Sequence, residues 1–285
     1  MRTEGPVVVA VDGSAHSRRT VDWGLAEAER LGAPAVLVRA FQEPYEYTWG
    51  WVAAPGGAEV EAKEHLAREL ERAAAEHPRL DVAMEVLHGP TVPQLRARTA
   101  GARMLVTGAG ERPSKRIGPV AAHLAAHARC TVAVVRPEPS GGAGARVVVG
   151  VDGSVPSVAA ARVAAREAEL RGVPLLVVHA RPTTRAPFGA PMELPALSDS
   201  DANDPAHRAA AQLTQRLGEE FAGIAIDLRL VDDEPANAVV GAARDAQLVV
   251  VGSRGLGAFA GMLLGSVSTQ VARTAHCTTM VVHEG

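Results

Sequence analysis

Two groups of residues in this 285-residue chain have the types and spacing that chemistry needs. The first is Asp152-Gly-Ser154, directly after an apolar run. The second is Gly252-Ser-Arg-Gly255, followed after nine residues by Gly265-Ser266. Glycine lets main-chain amides come close to an anion, because no side chain stands in the way. Ser266 opens a helical stretch, and the free amides of a helix start favour phosphate oxygens. Its hydroxyl is one more donor, or a cap for the helix. Asp152 suits hydrogen bonds from ribose hydroxyls, or a share in holding a magnesium ion. A nucleotide is the ligand with chemistry for both ends. The other reading is that the glycines only turn corners and Ser266 is an ordinary N-cap. A lone Gly-x-x-Gly is weak evidence. Here the spacing to Gly-Ser, a strand before, a helix after and an aspartate on a second strand end occur together.

Other residues invite sharper readings than they support. His123 and His127 are four apart on a helix and Cys130 follows, a spacing that can hold zinc. No glutamate follows His123, as a zinc protease motif would need. A solvated helix face beside a buried thiol is expected, and no metal site is assigned. Cys130 and Cys277 each precede a final apolar run and read as small core residues. His179 reads as a satisfied buried histidine, not a base, and Arg18 and Arg19 as solvated surface. Phe41, Tyr45, Tyr47, Trp49 and Trp51 hold five of the nine aromatic residues. They read as a locally packed loop, with a ligand-mouth cap or an interface as the alternatives. No catalytic residue is assigned. Phosphoryl transfer needs metal carboxylates, a base and a cation, and only Asp152 and Arg254 present themselves.

The elements that position these residues come in two copies. Val7-Val-Val-Ala-Val-Asp-Gly-Ser14 returns as Val147-Val-Val-Gly-Val-Asp-Gly-Ser154, and 15 of the 34 positions from Val7 to Ala40 are identical at an offset of 140. Met104–Gly108 matches Leu248–Gly252, and Cys130–Val135 matches Cys277–Val282. A Pro-, Gly- and Ser-rich stretch separates them, a flexible connector. The expected organisation is a first domain at 1–138, a linker at 139–145 and a second domain at 146–285. In the second copy, strands are expected at Arg146–Val151, Leu175–His179, Ile224–Val231, Leu248–Val251 and Thr278–His283. Helices are expected at Val158–Arg171, Ala206–Phe221, Pro235–Arg244 and Ser266–Thr274. Alternation of this kind predicts two tandem doubly wound parallel five-stranded sheets, Rossmann-like, in strand order 3-2-1-4-5. Strands one and four are then neighbours where the order reverses, and ligands bind beyond the carboxyl ends at that point. Asp152 and Gly252 sit at those two ends.

Composition excludes several classes. Net charge is −3 and the pI about 6.4, so no basic field for a nucleic acid exists. Two cysteines make no disulfide framework and point to a reducing cytosol. The first six residues lack the apolar core of a signal peptide. The longest uncharged run, Gly255–Ala272, carries four glycines with Ser266, Ser268, Thr269 and Gln270, too polar for a membrane helix. A cytoplasmic location without membrane or nucleic-acid partners is expected.

Val-Asp-Gly-Ser after strand one, with Gly-x-x-Gly-x(9)-Gly-Ser after strand four, resembles the universal stress protein family over nearly the whole chain, in tandem form. The resemblance implies an adenine nucleotide, ATP or else ADP or AMP, with magnesium as its companion. It implies a site at Asp152, Gly252, Gly255, Gly265, Ser266 and Val267, with Ala180 meeting the adenine through its backbone. Gly150 would lie near ribose and phosphates, and Ser253 and Arg254 are loop neighbours. It also implies that the two copies pair through their last strands; a homodimer of chains is left open. The first copy keeps Asp12, Gly13, Ser14, Ala40, Gly108 and Gly118. Its loop is three residues shorter, the second glycine is displaced by Glu111 or shifted to Gly110, and Pro119 replaces the serine, which removes a hydroxyl and an amide donor. The second copy is therefore expected to bind ATP and the first weakly or not at all. A regulatory nucleotide binder is the leading function. A slow ATP hydrolase and an interaction scaffold are the alternatives.

Overall fold

A computed structural model of the chain describes residues 4–14, 16–42, 57–110, 117–136, 142, 144–181, 204–257 and 264–283. Two compact units divide it, one made of Met1–Pro137 with His283–Gly285 and the other of Glu138–Val282. Each is a parallel α/β sheet with a Rossmann-like order of strands.

In the first unit the strands are β1 (Val7–Ala10), β2 (Ala35–Phe41), β3 (Val82–His88), β4 (Met104–Gly108) and β5 (Thr131–Val135). They lie in the order β3-β2-β1-β4-β5, every neighbouring pair parallel. The helices are α1 (Ser17–Leu31), α2 (Gly57–Glu76), α3 (Thr91–Arg98) and α4 (Pro119–His127). The second unit repeats the plan with β6 (Val147–Val151), β7 (Leu175–Arg181), β8 (Ile226–Asp232), β9 (Leu248–Gly252) and β10 (Thr278–Val282), in the order β8-β7-β6-β9-β10. Its helices are α5 (Val155–Arg171), α6 (Pro205–Glu220), α7 (Pro235–Ala242) and α8 (Ser266–Thr274). The expected strand order 3-2-1-4-5 holds in both units.

Valine-rich runs form β1, β6 and β9, and burial follows position. β1, β4, β6 and β9 are almost wholly buried, as strands covered on both faces must be. β3 and β8, at one end of each order, alternate between covered and exposed positions. In the first unit Val8, Val38, Leu105, Val132 and Val134 build a core with Leu95 of α3 and Leu124 of α4.

Local signals set the helix ends. α1 and α5 both stop at a left-handed glycine, Gly32 (φ 59°) and Gly172 (φ 63°), whose N–H closes back on the last turn. The residue after next is a proline in both copies. α5 starts three residues earlier than expected from its alanine-rich run. Ser154 Oγ accepts from Ser157 N, and Pro156 fits inside the first turn, where its missing N–H costs nothing. β7 extends two residues past His179, because Ala180 and Arg181 still pair with Val231 and Asp232 of β8.

Candidate functional site

The carboxyl ends of β6 and β9 border a cleft of about 530 Å³, within the usual range for a small-molecule site. Of the residues singled out in the sequence, Gly150, Asp152, Ala180, Gly252, Arg254, Gly255, Gly265, Ser266 and Val267 line it. Ser253 does not. Its side chain is buried, its N–H donates to Val282 O (2.8 Å) and its carbonyl accepts from Gly265 N (2.8 Å). Ser253 therefore closes the neck of the loop and faces away from the cleft.

Gly265 and the first residues of α8, Ser266, Val267 and Ser268, line this space. The first N–H with an intrahelical partner is that of Thr269, donating to Gly265 O at 2.9 Å. The amides before it are the orphans every helix start leaves, with the positive end of the helix dipole behind them. Ser266 is exposed at the first helical position, and no side chain caps the helix. Ser268, one turn in, is buried and donates its hydroxyl to Gly252 O (2.5 Å), pinning α8 to the end of β9.

The glycines divide by role. A Cβ at Gly150 would lie 2.7 Å from Val239 of α7, and one at Gly252 would lie 2.8 Å from the Pro156 carbonyl. Packing alone requires glycine at both, so their part in the cleft is to let helices close its walls. A Cβ at Gly265 would meet only ordinary contacts at 3.6 Å, and its φ is −68°.

Asp152 is half-buried at the end of β6. Its Oδ1 accepts from Ser154 N (3.0 Å) and Ser154 Oγ (2.6 Å), and its Oδ2 from Leu256 N (2.8 Å). Burial pushes the carboxyl up. The hydrogen bonds from Ser154, Leu256 and Ser157 outweigh it and hold the group below its ordinary value. One lone pair remains on Oδ2 after these donors.

The sequence motifs left several walls unseen. Pro235 and Val239 of α7, Leu256, Arg181 and Asp204 also line the cleft. Asp204 caps α6 by accepting from Ala206 N (2.9 Å), and Arg181 Nε donates to Asp232 Oδ1 (2.8 Å). The helix α7 was visible; the packing of its Val239 against Gly150 of β6 was not. His179 Nδ1 lies 2.9 Å from Val151 O. Its ring is thus hydrogen-bonded to the strand end as expected, but it is half-buried and lines the cleft instead of lying in the core.

The first unit has a cleft of about 420 Å³ at the same place, lined by Asp12, Ala40, Gly108 and Gly118 with Pro119. Its neck closes the same way, Gly118 N donating to Ala109 O at 2.7 Å. The differences lie at the carboxylate and opposite it. Asp12 is exposed, and its Oδ1 accepts from Ser14 N (3.0 Å). Arg39 stands where the second unit has His179. Its guanidinium covers Gly13 and pairs with Glu61 (3.1 Å). Phe41 also lines this cleft and meets His88 edge-on, 4.7 Å between centroids. Tyr45, Tyr47, Trp49 and Trp51 lie outside the described residues.

His123 and His127 stack on α4, 3.9 Å between ring centroids, and His127 Nδ1 lies 2.9 Å from His123 O. Burial, then His127 and Arg96, lower the His123 pKa. Cys130 and Cys277 are buried, as expected of small core residues. Among the described residues no cluster of three or more potential metal ligands occurs, and no helix is long and apolar enough to cross a membrane.

The chain matches the family model described as the universal stress protein family twice, over residues 5–136 and 145–283. A universal stress protein of Mycobacterium tuberculosis is 33% identical over 301 residues, covering 99% of this chain and 98% of that one. A second from the same organism is 32% identical over 291 residues, covering 98% and 96%. The crystal structure of a universal stress protein from Archaeoglobus fulgidus has a TM-score of 0.72 at 18% identity and covers 98% of each chain. A universal stress protein solved in complex with cAMP is similar to half of this chain, at 28% identity and a TM-score of 0.39.

Proposed function

The chain belongs to the universal stress protein family, and from that premise we propose that its second unit binds an adenine nucleotide, ATP foremost, in a cytoplasmic regulatory role. The observation that carries this reading is the second cleft. The orphan amides of α8, the Gly252–Gly255 loop and the Asp152 carboxylate border one space at the reversal of strand order. That sets donors for a phosphate chain beside an acid at the end of the neighbouring strand. The apolar floor of Val178, Val239 and Pro235 suits a purine face.

A magnesium ion fits this wall only as part of the nucleotide. The one Asp152 lone pair left by protein donors would supply a single carboxylate ligand, the usual share for magnesium held mainly by phosphates. Bound there, it would neutralise phosphate charge.

We place binding ahead of turnover. Among the described residues, Asp152 and Asp204 are the carboxylates lining the second cleft, and both accept structural hydrogen bonds. We also propose that the first unit binds nucleotide more weakly. Pro119 removes the first amide of the α4 start, and Arg39 covers the turn after β1.

Mass spectrometry of small molecules released on denaturing the purified protein tests the reading. An adenine nucleotide is expected. Protein that releases none, and that binds no purine nucleotide in calorimetry, would overturn it.

A further inference from the structure

The Asp152 carboxylate spends its hydrogen-bonding capacity on the protein before any ligand arrives. Both donors on Oδ1 come from Ser154, which fixes the turn after β6. Ser157 Oγ accepts from Asp152 N (3.3 Å) and donates to Ser154 O (2.9 Å), locking the same turn from the other side. With Oδ1 thus engaged, Oδ2 is directed at the loop after β9. It meets Leu256 N at 2.8 Å across 104 residues of sequence. The approach is so close that a Cβ on Gly255 would lie 2.4 Å from Oδ2. No positive φ demands glycine at that position. Glycine there is required by the carboxylate.

We infer that Asp152 is a positioning residue, a tether holding the Gly252–Gly257 loop against the end of β6, and not the group that grips a ribose. A charged acceptor makes such a bond about twice as strong as a neutral one. The first unit carries the counterpart. Asp12 keeps the Ser14 bond, but the sequence places Glu111 where Gly255 stands in the second unit. A side chain at that position is incompatible with the close approach seen at Asp152. The tether and its glycine thus belong together, and the sequence keeps that glycine in the second copy.

For a ligand the consequence is a loop set before binding, so less ordering is lost when phosphates arrive. This consequence rests on the nucleotide reading of the site; the tether itself does not. The two separate by experiment. Asp152→Asn keeps an oxygen for Ser154 and turns an amino group toward Leu256 N, which cannot accept it. Hydrogen exchange of the nucleotide-free full chain should then quicken at the Leu256 amide by roughly tenfold or more. ATP affinity should fall by roughly tenfold, and adenosine affinity by less than about threefold, since adenosine has no phosphates for the loop. Gly255→Ala, which pushes a methyl against Oδ2, carries the same expectations and serves if Asp152→Asn does not fold. Unchanged exchange at Leu256 would overturn the tether. An equal loss for ATP and adenosine would also overturn it, by placing Asp152 on the ribose. If the unsubstituted protein binds neither ligand, the nucleotide reading falls, and the exchange comparison alone decides the tether.

Discussion

Ser266 and Pro119 hold the same place, the first residue of the last helix in each unit. Proline is well tolerated there, because its N–H would be an orphan in any case. Ser266→Pro should therefore leave the melting temperature within about 3 °C of the parent protein. It removes one amide and one hydroxyl from the phosphate side of the second cleft. ATP affinity should fall by roughly tenfold to a hundredfold, measured by calorimetry. Retained affinity would mean that the start of α8 does not meet phosphate. Asp152 supplies a prediction of a different kind. Its folded carboxyl is lowered from 3.8, so its stabilising share is full above that value and is lost as pH falls through the lowered one. The stability gap between the parent protein and Asp152→Asn should be constant above about pH 5 and shrink in stronger acid. Denaturant titrations at several pH values check this. A gap that changes between pH 6 and 8 would contradict the lowered carboxyl. At this scale the sequence was legible where a residue type is itself the chemistry, as with Asp152, the motif glycines and Ser266. It was not legible where direction decides. Ser253 lies between two lining residues of its loop and still turns inward, since its N–H and carbonyl are taken by β10 and Gly265. The Asp152–Leu256 bond spans 104 residues and leaves no local signal.

The elements were largely legible because each has a local cause. Valine-rich runs made β1 and β6, and Gly32 and Gly172 ended α1 and α5 at equivalent places. The first turn of α5 was less so, because Val155 and Pro156 read as turn residues until the Ser154 cap is seen. The far wall of the cleft was hidden for another reason. α7 reaches it only because Gly150 on β6 has no side chain and Val239 packs into the gap. Gly150→Ala should force that contact apart and destabilise the protein by about 1–3 kcal/mol. Val239→Ala in the same chain should recover part of the loss, by making room for the added methyl. Thermal and denaturant unfolding of the two single variants and the double variant measure the coupling. Strictly additive losses would show that α7 and β6 do not meet as described.

Across the whole chain, one fold appears twice and keeps its chemistry unequally. Both units have the strand order, the reversal point and the closed loop neck between the fourth strand and the last helix. The second combines a tethered carboxylate with a serine at the helix start and the longer glycine loop, where the first has Pro119 and a loop three residues shorter in sequence. Duplication makes such divergence cheap, because each unit has its own core and a cleft can change without loss of the fold. The account therefore predicts unequal occupancy, and calorimetric titration of the full chain with ATP tests it most directly. A single tight site should appear, weakened by Ser266→Pro and left in place by Asp12→Ala. Two equally tight sites, or one that Asp12→Ala abolishes while Ser266→Pro spares it, would contradict the assignment of the nucleotide to the second unit.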